Sequence, residues 1–425
     1  MQNLAEVWKS YYKSSSSKDG SPRAQALLAL SDVWTERTYP SKQEYWKYVP
    51  FSSLARANYI LANNEKVNRI GLSESGVLSI EINSFDGASI EVGDLPKGVS
   101  VLCPRDLVNK EGVWTHWGFE SSTDPFVQSL RSFWEMGFIL VIDEEVVLDQ
   151  PIQLTYQLDS YVNQNVLAPF QIKVVVGKRA RVEWLNHTQA EKFMGFANTM
   201  LSVELGEGSH FEYCGKEWGG QGSQIMAHLH CLGRKDSNFL ATDVTFSGLW
   251  SRHNVRSDLL GKGAQSQLRG VYLSHKNHFC DHHTEIRHAQ ANTQSEQVYK
   301  GILNDQTRAV FNGKVFIAPG AKGSHSQQLN KNLVLSNAAE IDTKPELQIY
   351  NDDVKATHGA TIGQIDPEQV FYLQSRGLSK EVSWKMLSRA FVHDLFESVS
   401  QNQQDFLHED LDRGLAEVLG GQNGL

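Results

Sequence analysis

Four glycines set the frame of this chain. Gly177, Gly206, Gly233 and Gly261 each follow an apolar run and open a turn, in VVVGKRARV, VELGEGSHF, HCLGRKDSNF and DLLGKGAQSQL. Their spacings are 29, 27 and 28 residues. A recurrence of that length marks a repeat architecture, because a unit so short cannot bury its apolar face alone and must stack on its neighbours. Between the glycines, apolar residues alternate, as at Ile172, Val174 and Val176 or Leu201, Val203 and Leu205, which is the period of a strand. Turn pairs at Asn304-Asp305, Pro319-Gly320 and Ser336-Asn337 keep the later strands short. No Trp-Asp dipeptide recurs and no six-residue period appears. The fold expected is mainly β, with a parallel β-helix over residues 136–364.

Helices flank that core. Residues 1–135 read as a mainly helical N-terminal domain, with stripes at Leu4, Val7, Trp8 and Tyr11 and, behind Pro22, at Ala26, Leu27, Leu30, Val33 and Trp34. A short β segment over Gly76–Cys103 and a helix carrying Phe126, Leu130, Phe133 and Trp134 follow. Tyr45, Trp46, Tyr48 and Phe51 form an aromatic cluster expected in a small core. Residues 365–425 form a C-terminal helical domain. Asp366 with Pro367 opens its first helix, Ser379 caps the second, with a stripe at Trp384, Leu387, Phe391 and Leu395, and Leu407, Leu411, Leu415 and Val418 mark a third.

The two periods meet between Ile349 and Asp366, and a histidine, His358, lies in that seam close behind Asp352 and Asp353. The last coil, around Leu333–Ile349, has no cap of its own, so a partner strand could complete it. The strings VFNGKVFIAPGAKGSHSQQLNKNLVLSNAAEIDTKP, TKPELQIYNDDVKATHGATIGQID and EQVFYLQSRGLS carry a resemblance, repeated more weakly at Gly137–Leu154. They resemble the SufB/SufD family of iron–sulfur cluster assembly proteins, on its SufD side.

The resemblance implies a right-handed β-helix in a scaffold subunit that is not an enzyme alone. It implies pairing with a SufB-like paralogue through the β-helix ends, and a SufC-like ATPase bound by the C-terminal helices, for which Phe371, Leu387 and Phe391 are the expected contacts. A transient Fe–S cluster would form at the SufB-like contact, with His358 as a metal ligand beside ligands from the partner. Homodimerisation is an expectation for the chain when alone. Some relatives carry a cysteine two residues before this histidine; here the position is Ala356.

Composition limits the rest. The four cysteines, Cys103, Cys214, Cys231 and Cys280, are dispersed and form no CxxC. A cluster held by four thiolates would need all of them, so none is expected in the isolated chain. A net charge of −9 argues against nucleic acid or an anionic membrane as main partner. No G-x-x-x-x-G-K-[ST] string occurs, so ATP hydrolysis would belong to another subunit. The opening residues lack a basic-then-apolar layout and no 18-residue apolar run exists, which makes a cytoplasmic location the expectation.

Ten of the 15 histidines fall between His187 and His288, most densely in SHKNHFCDHHTEIRH. On a strand His278, Cys280 and His282 share one face, a nitrogen and sulfur set that suits a metal. The same run also reads as an ordered polar face of a coil, and no loop spacing supports a closed tetrahedral site. Two rival functions therefore stand beside the scaffold: a stand-alone metal-binding solenoid, and a carbohydrate-active β-helix enzyme of the exported type.

Overall fold

Each repeat is one turn of a solenoid, and each turn lays one strand into each of two sheets. The structure, a computed structural model, describes residues 2–3, 46–47, 49, 58–61, 68–74, 76–82, 90–103, 124–133, 136–158, 165–246, 248–397 and 399–420. The helices expected before residue 41, and Tyr45, Tyr48, Phe51 and Trp134, lie outside these residues.

The chain enters through β1 (Gln2–Asn3), β2 (Asn58–Leu61), β3 (Asn68–Leu72), β4 (Leu78–Ile82), β5 (Ile90–Val92) and β6 (Val99–Leu102). Helix α1 (Pro125–Ser132) follows, capped by Asp124, whose side chain accepts from the Phe126 N–H. Then come β7 (Gly137–Ile142) and β8 (Ile152–Gln157). Seven strand pairs build the turns: β9 (Asn165–Val176) with β10 (Arg181–Ala190), β11 (Gly195–Leu205) with β12 (His210–Gly219), and β13 (Ser223–Gly233) with β14 (Asn238–Phe246). They continue as β15 (Trp250–Leu259) with β16 (Gln265–Ser274), β17 (Phe279–His288) with β18 (Gln294–Leu303), β19 (Arg308–Ile317) with β20 (Ser324–Val334), and β21 (Glu340–Ile349) with β22 (Val354–Gly363). Odd strands stack in one sheet and even strands in the other, all parallel from β8 onward. The early strands extend both sheets at the N-terminal end: β4 pairs with β8, β2 and β7 with β9.

The glycine repeat is the corner between sheets. Ala180, Ser209, Ser237 and Ala264 each donate an N–H to the carbonyl three residues back, on Gly177, Gly206, Arg234 and Gly261. The third residue of each corner is left-handed, with φ of 58° at Arg179, 66° at Gly208, 53° at Asp236 and 74° at Gly263. The third corner thus starts on Arg234, and Gly233 is the last residue of its strand. Stacked corners bring backbones together: a Cβ on Gly261 would lie 2.0 Å from the Lys235 nitrogen. Only glycine fits there.

In-register pairing turns every inward position into a column running the length of the solenoid. One column reads Phe170, Thr199, Ala227, His253, His282, Phe311 and Thr343. The facing one reads Trp184, Tyr213, Ala241, Leu268, Gln297, Gln328 and His358. The outer face of the even-strand sheet is apolar at Leu185, Val244, Phe246, Val271, Leu273 and Ile302, and helices cover it.

Three helices follow, α2 (Pro367–Ser375), α3 (Lys380–His393) and α4 (Gln401–Gly420), and residues of α3 and α4 supply that cover. Asp366 and Ser379 cap the first two, as their positions in the sequence indicate, accepting from the Glu368 and Val382 N–H groups. Leu407, Leu411, Leu415 and Val418 of α4 are buried against the sheet, and a Cβ on Gly414 would meet the Phe246 ring at 2.2 Å. Polar anchors frame the contact. Lys216 donates to the Phe406 carbonyl at 2.8 Å, Trp218 to Asp410 at 2.8 Å, and Lys300 to the Phe391 carbonyl at 2.6 Å.

Candidate functional site

The C-terminal end of the solenoid is open. Every inner strand bonds to neighbours on both sides, whereas among the described residues β21 pairs only with β19, and β22 only with β20. Burial records the change. Phe311 is fully buried, but Thr343, the next residue in its column, is only half-buried, as are Ile341, Pro345 and Leu347. Leu347, Val354 and Ala356 pack over Val315, Ile317 and Ala321, the last covered layer. Ile349, Tyr350 and Ile362 leave apolar surface exposed at the rim. An unpaired pair of long edge strands over an uncovered core is a surface made for a further strand.

His358 sits in the middle of this end. It is not in a turn between two structural regimes, as the seam in the sequence suggests, but four residues inside β22, exposed, with its Cα in register with Gln328. Alternation along the strand places it on the inward face with Val354, Ala356, Ala360 and Ile362. Ala356 therefore shares the histidine's face at the mouth of the lumen. The turn before the strand carries Asp352 and Asp353, the latter accepting the Gly323 N–H through its carbonyl at 2.7 Å.

Beneath the mouth the column is polar where earlier turns are apolar. Gln297, Gln328, Asn330 and Asn332 are all buried there. Asn330 bonds the Tyr272 hydroxyl at 3.1 Å and the Tyr299 carbonyl at 3.2 Å, and accepts from Thr343 at 2.9 Å. Gln328 donates to the Gln297 amide oxygen of the turn beneath at 3.4 Å, and Asn332 to that of Asn330 on its own strand at 2.6 Å.

The C-terminal helices divide their apolar residues between core and solvent. Phe371 is 72% and Tyr372 57% exposed on α2, and Val382 and Met386 of α3 are exposed as well. Leu387 and Phe391 are half-buried, and Phe391 packs on the sheet-facing cluster with the Lys300 ammonium 5.1 Å from its ring centre. The residues of α3 that are buried are Ser383, Ser388 and Val392. Of the stripe expected at Trp384, Leu387, Phe391 and Leu395, Leu395 is buried in the sheet-facing cluster and the other three are half-buried.

The histidine-rich run falls on β17 and the corner before it. Cys280 and His282 face the lumen, while His278 precedes the strand and meets His275 edge-on at 5.2 Å. The metal-capable group found among the described residues is a different one, Asp243, His253 and His282. His253 and Asp243 come from other turns, and nothing in their spacing along the chain signals the meeting. All four cysteines are buried, and burial pushes the thiols of Cys214, Cys231 and Cys280 well above their usual range. No described helix is long and apolar enough to cross a membrane.

Comparison with known proteins agrees with this architecture. Residues 161–391 match the family described as SUF system FeS cluster assembly, SufBD core domain. The chain is similar to the iron–sulfur cluster assembly protein SufD of Escherichia coli, 26% identical over 413 residues that cover 93% of each chain. It is also similar to an iron–sulfur cluster assembly SufBD family protein of Synechocystis, 29% identical over 84% of this chain and 83% of that one. A third relative, from Mycobacterium leprae, is 30% identical over 44% of this chain and 50% of its own. A family match spanning more than half the chain, on a solenoid of the expected form, assigns the protein to the SufBD family of iron–sulfur cluster assembly proteins, on its SufD-like side.

Proposed function

We propose that the chain is a non-catalytic scaffold subunit of a SUF assembly complex, in the cytoplasm, and that its open solenoid end pairs with a SufB-like paralogue. The observation that carries this reading is the unpaired edge of β21 and β22, with His358 exposed at its centre. A paralogue with a matching end would continue both sheets and cover Ile349, Tyr350 and Ile362. The nascent cluster is then cargo, formed where the two ends meet. A neutral imidazole suits iron and can act beside thiolates of the partner, which supports His358 as this chain's contribution. Ala356 offers no thiol of its own.

The same reading assigns the exposed face at Phe371 to a SufC-like ATPase. That subunit would supply the hydrolysis for which this chain carries no phosphate loop. Co-expression with a SufB-like paralogue and a SufC-like ATPase, followed by size-exclusion chromatography, tests it. A stable complex containing all three is expected. Elution of this chain alone, with the other two together, would sink the proposal.

A further inference from the structure

A group of ionisable side chains is closed inside the solenoid, away from the open end. Glu217 on β12, Asp243 on β14, His253 on β15 and His282 on β17 are each more than nine-tenths buried. Asp243 Oδ2 lies 2.8 Å from His253 Nδ1, and Glu217 Oε2 lies 3.1 Å from His253 Nε2. Ser251 donates to the other Glu217 oxygen at 2.5 Å. The His253 and His282 rings stack at 4.9 Å, in register on neighbouring strands, and the Nε2 of each is 3.3 Å from the Thr245 hydroxyl. Among the described residues, Nδ1 of His282 has no hydrogen-bond partner. One ligand atom from each of Asp243, His253 and His282 falls within 4.8 Å of the others.

Two carboxylates in an apolar stack are costly unless positive charge meets them. The His253 ring lies between the two, and a divalent cation among Asp243, His253 and His282 would supply that charge. A cavity of about 40 Å³ beside Asp243 and His253, lined also by Thr199, Tyr213 and Ala227, has room for a water as a further ligand.

We propose that this lumen cluster is a metal site for one divalent first-row transition-metal ion, bound by Asp243, His253 and His282 with Glu217 adjacent. Two imidazoles and a carboxylate suit iron, cobalt or zinc and disfavour magnesium or calcium. Binding displaces whatever proton the ligand atoms carry, with no change of oxidation state. The site is distinct from the solenoid mouth and does not depend on any partner.

Cobalt(II) is the probe. The full chain, stripped with chelator and loaded either directly or by refolding in cobalt(II), should bind one ion per chain and show two imidazole ligands by X-ray absorption. Asp243→Asn and His282→Gln should each weaken binding about tenfold or more, a loss as large as that seen when even the outer partners of a metal site are removed. His358→Ala should leave it unchanged. The wild-type spectrum alone decides the matter if either variant fails to fold. The proposal is overturned if cobalt(II) does not bind stoichiometrically under either loading, if its ligands include no imidazole pair, or if folded lumen variants bind as well as wild type. A proton-only charge network would then remain.

Discussion

His358 stands in register with Gln328 one strand further in, and no described strand stands over His358. Gln328 is 1% exposed, whereas His358, one step along the same column, is open to solvent. One covering turn is all that separates a buried core position from a surface one.

That difference sets the expectation for His358→Ala. The ring fills no cavity, so stability should change by no more than roughly 0.5 kcal/mol, the range of ordinary surface substitutions. The complex should still assemble, since the strand edges and not one side chain form the contact. Cluster maturation in cells should fall sharply. Chemical denaturation, co-purification and the activity of a cluster-dependent enzyme read the three. Full maturation by the variant would remove His358 from the site.

Phe371→Ser tests the exposed helical face. With 72% of the residue in solvent, thermal unfolding should be nearly unaffected while capture of the ATPase subunit weakens. Leu415→Ala, one face over in α4 and fully buried, should instead cost about 2–5 kcal/mol. Removing Asp366–Leu425 altogether is the poorer experiment, because it would bare the apolar sheet face at Phe246 and Leu273. Unchanged ATPase capture by Phe371→Ser would place that contact elsewhere.

Gly261→Ala probes the corner stack. The added methyl group would sit 2.0 Å from backbone, which cannot swing aside as a side chain can. A loss of about 1–3 kcal/mol in urea unfolding is expected, typical of overpacking. At Gly320, where nothing lies within 4 Å of the added Cβ, the same change should be nearly silent.

His288 gives a pH test. It is fully buried between the Thr293 and Ser295 hydroxyls, each at 2.8 Å, and burial lowers its pKa to about 4 from 6.5. The unfolded chain therefore binds a proton near pH 6 that the folded chain refuses. The stability contribution is complete above the unfolded pKa and is lost as pH falls from 6.5 toward 4, by roughly 3 kcal/mol in all. His288→Gln should reduce the slope of stability against pH in that window by one proton, whatever its effect at pH 8. An unchanged slope would show that His288 is protonated in the fold.

Much of the architecture is legible along the chain because its causes are local. The corners recur because each turn needs a left-handed residue at the same place, and the caps at Asp366 and Ser379 bind N–H groups two and three residues away. The Gly76–Cys103 strands and the Phe126 helix are likewise local. Yet those strands join the solenoid's own sheets, a pairing with β8 and β7 that no local pattern encodes.

The sequence by itself determined the solenoid, the uncapped final coil and the place of His358 near it, since each follows from period, turn chemistry and the order of segments. Only the tertiary structure decided what meets across the lumen. His282 shares its strand with Cys280 but its chemistry with His253 and Asp243, and that choice belongs to the register between turns. Register is set by the sum of many strand-to-strand bonds, so it brings together residues whose separation along the chain carries no signal.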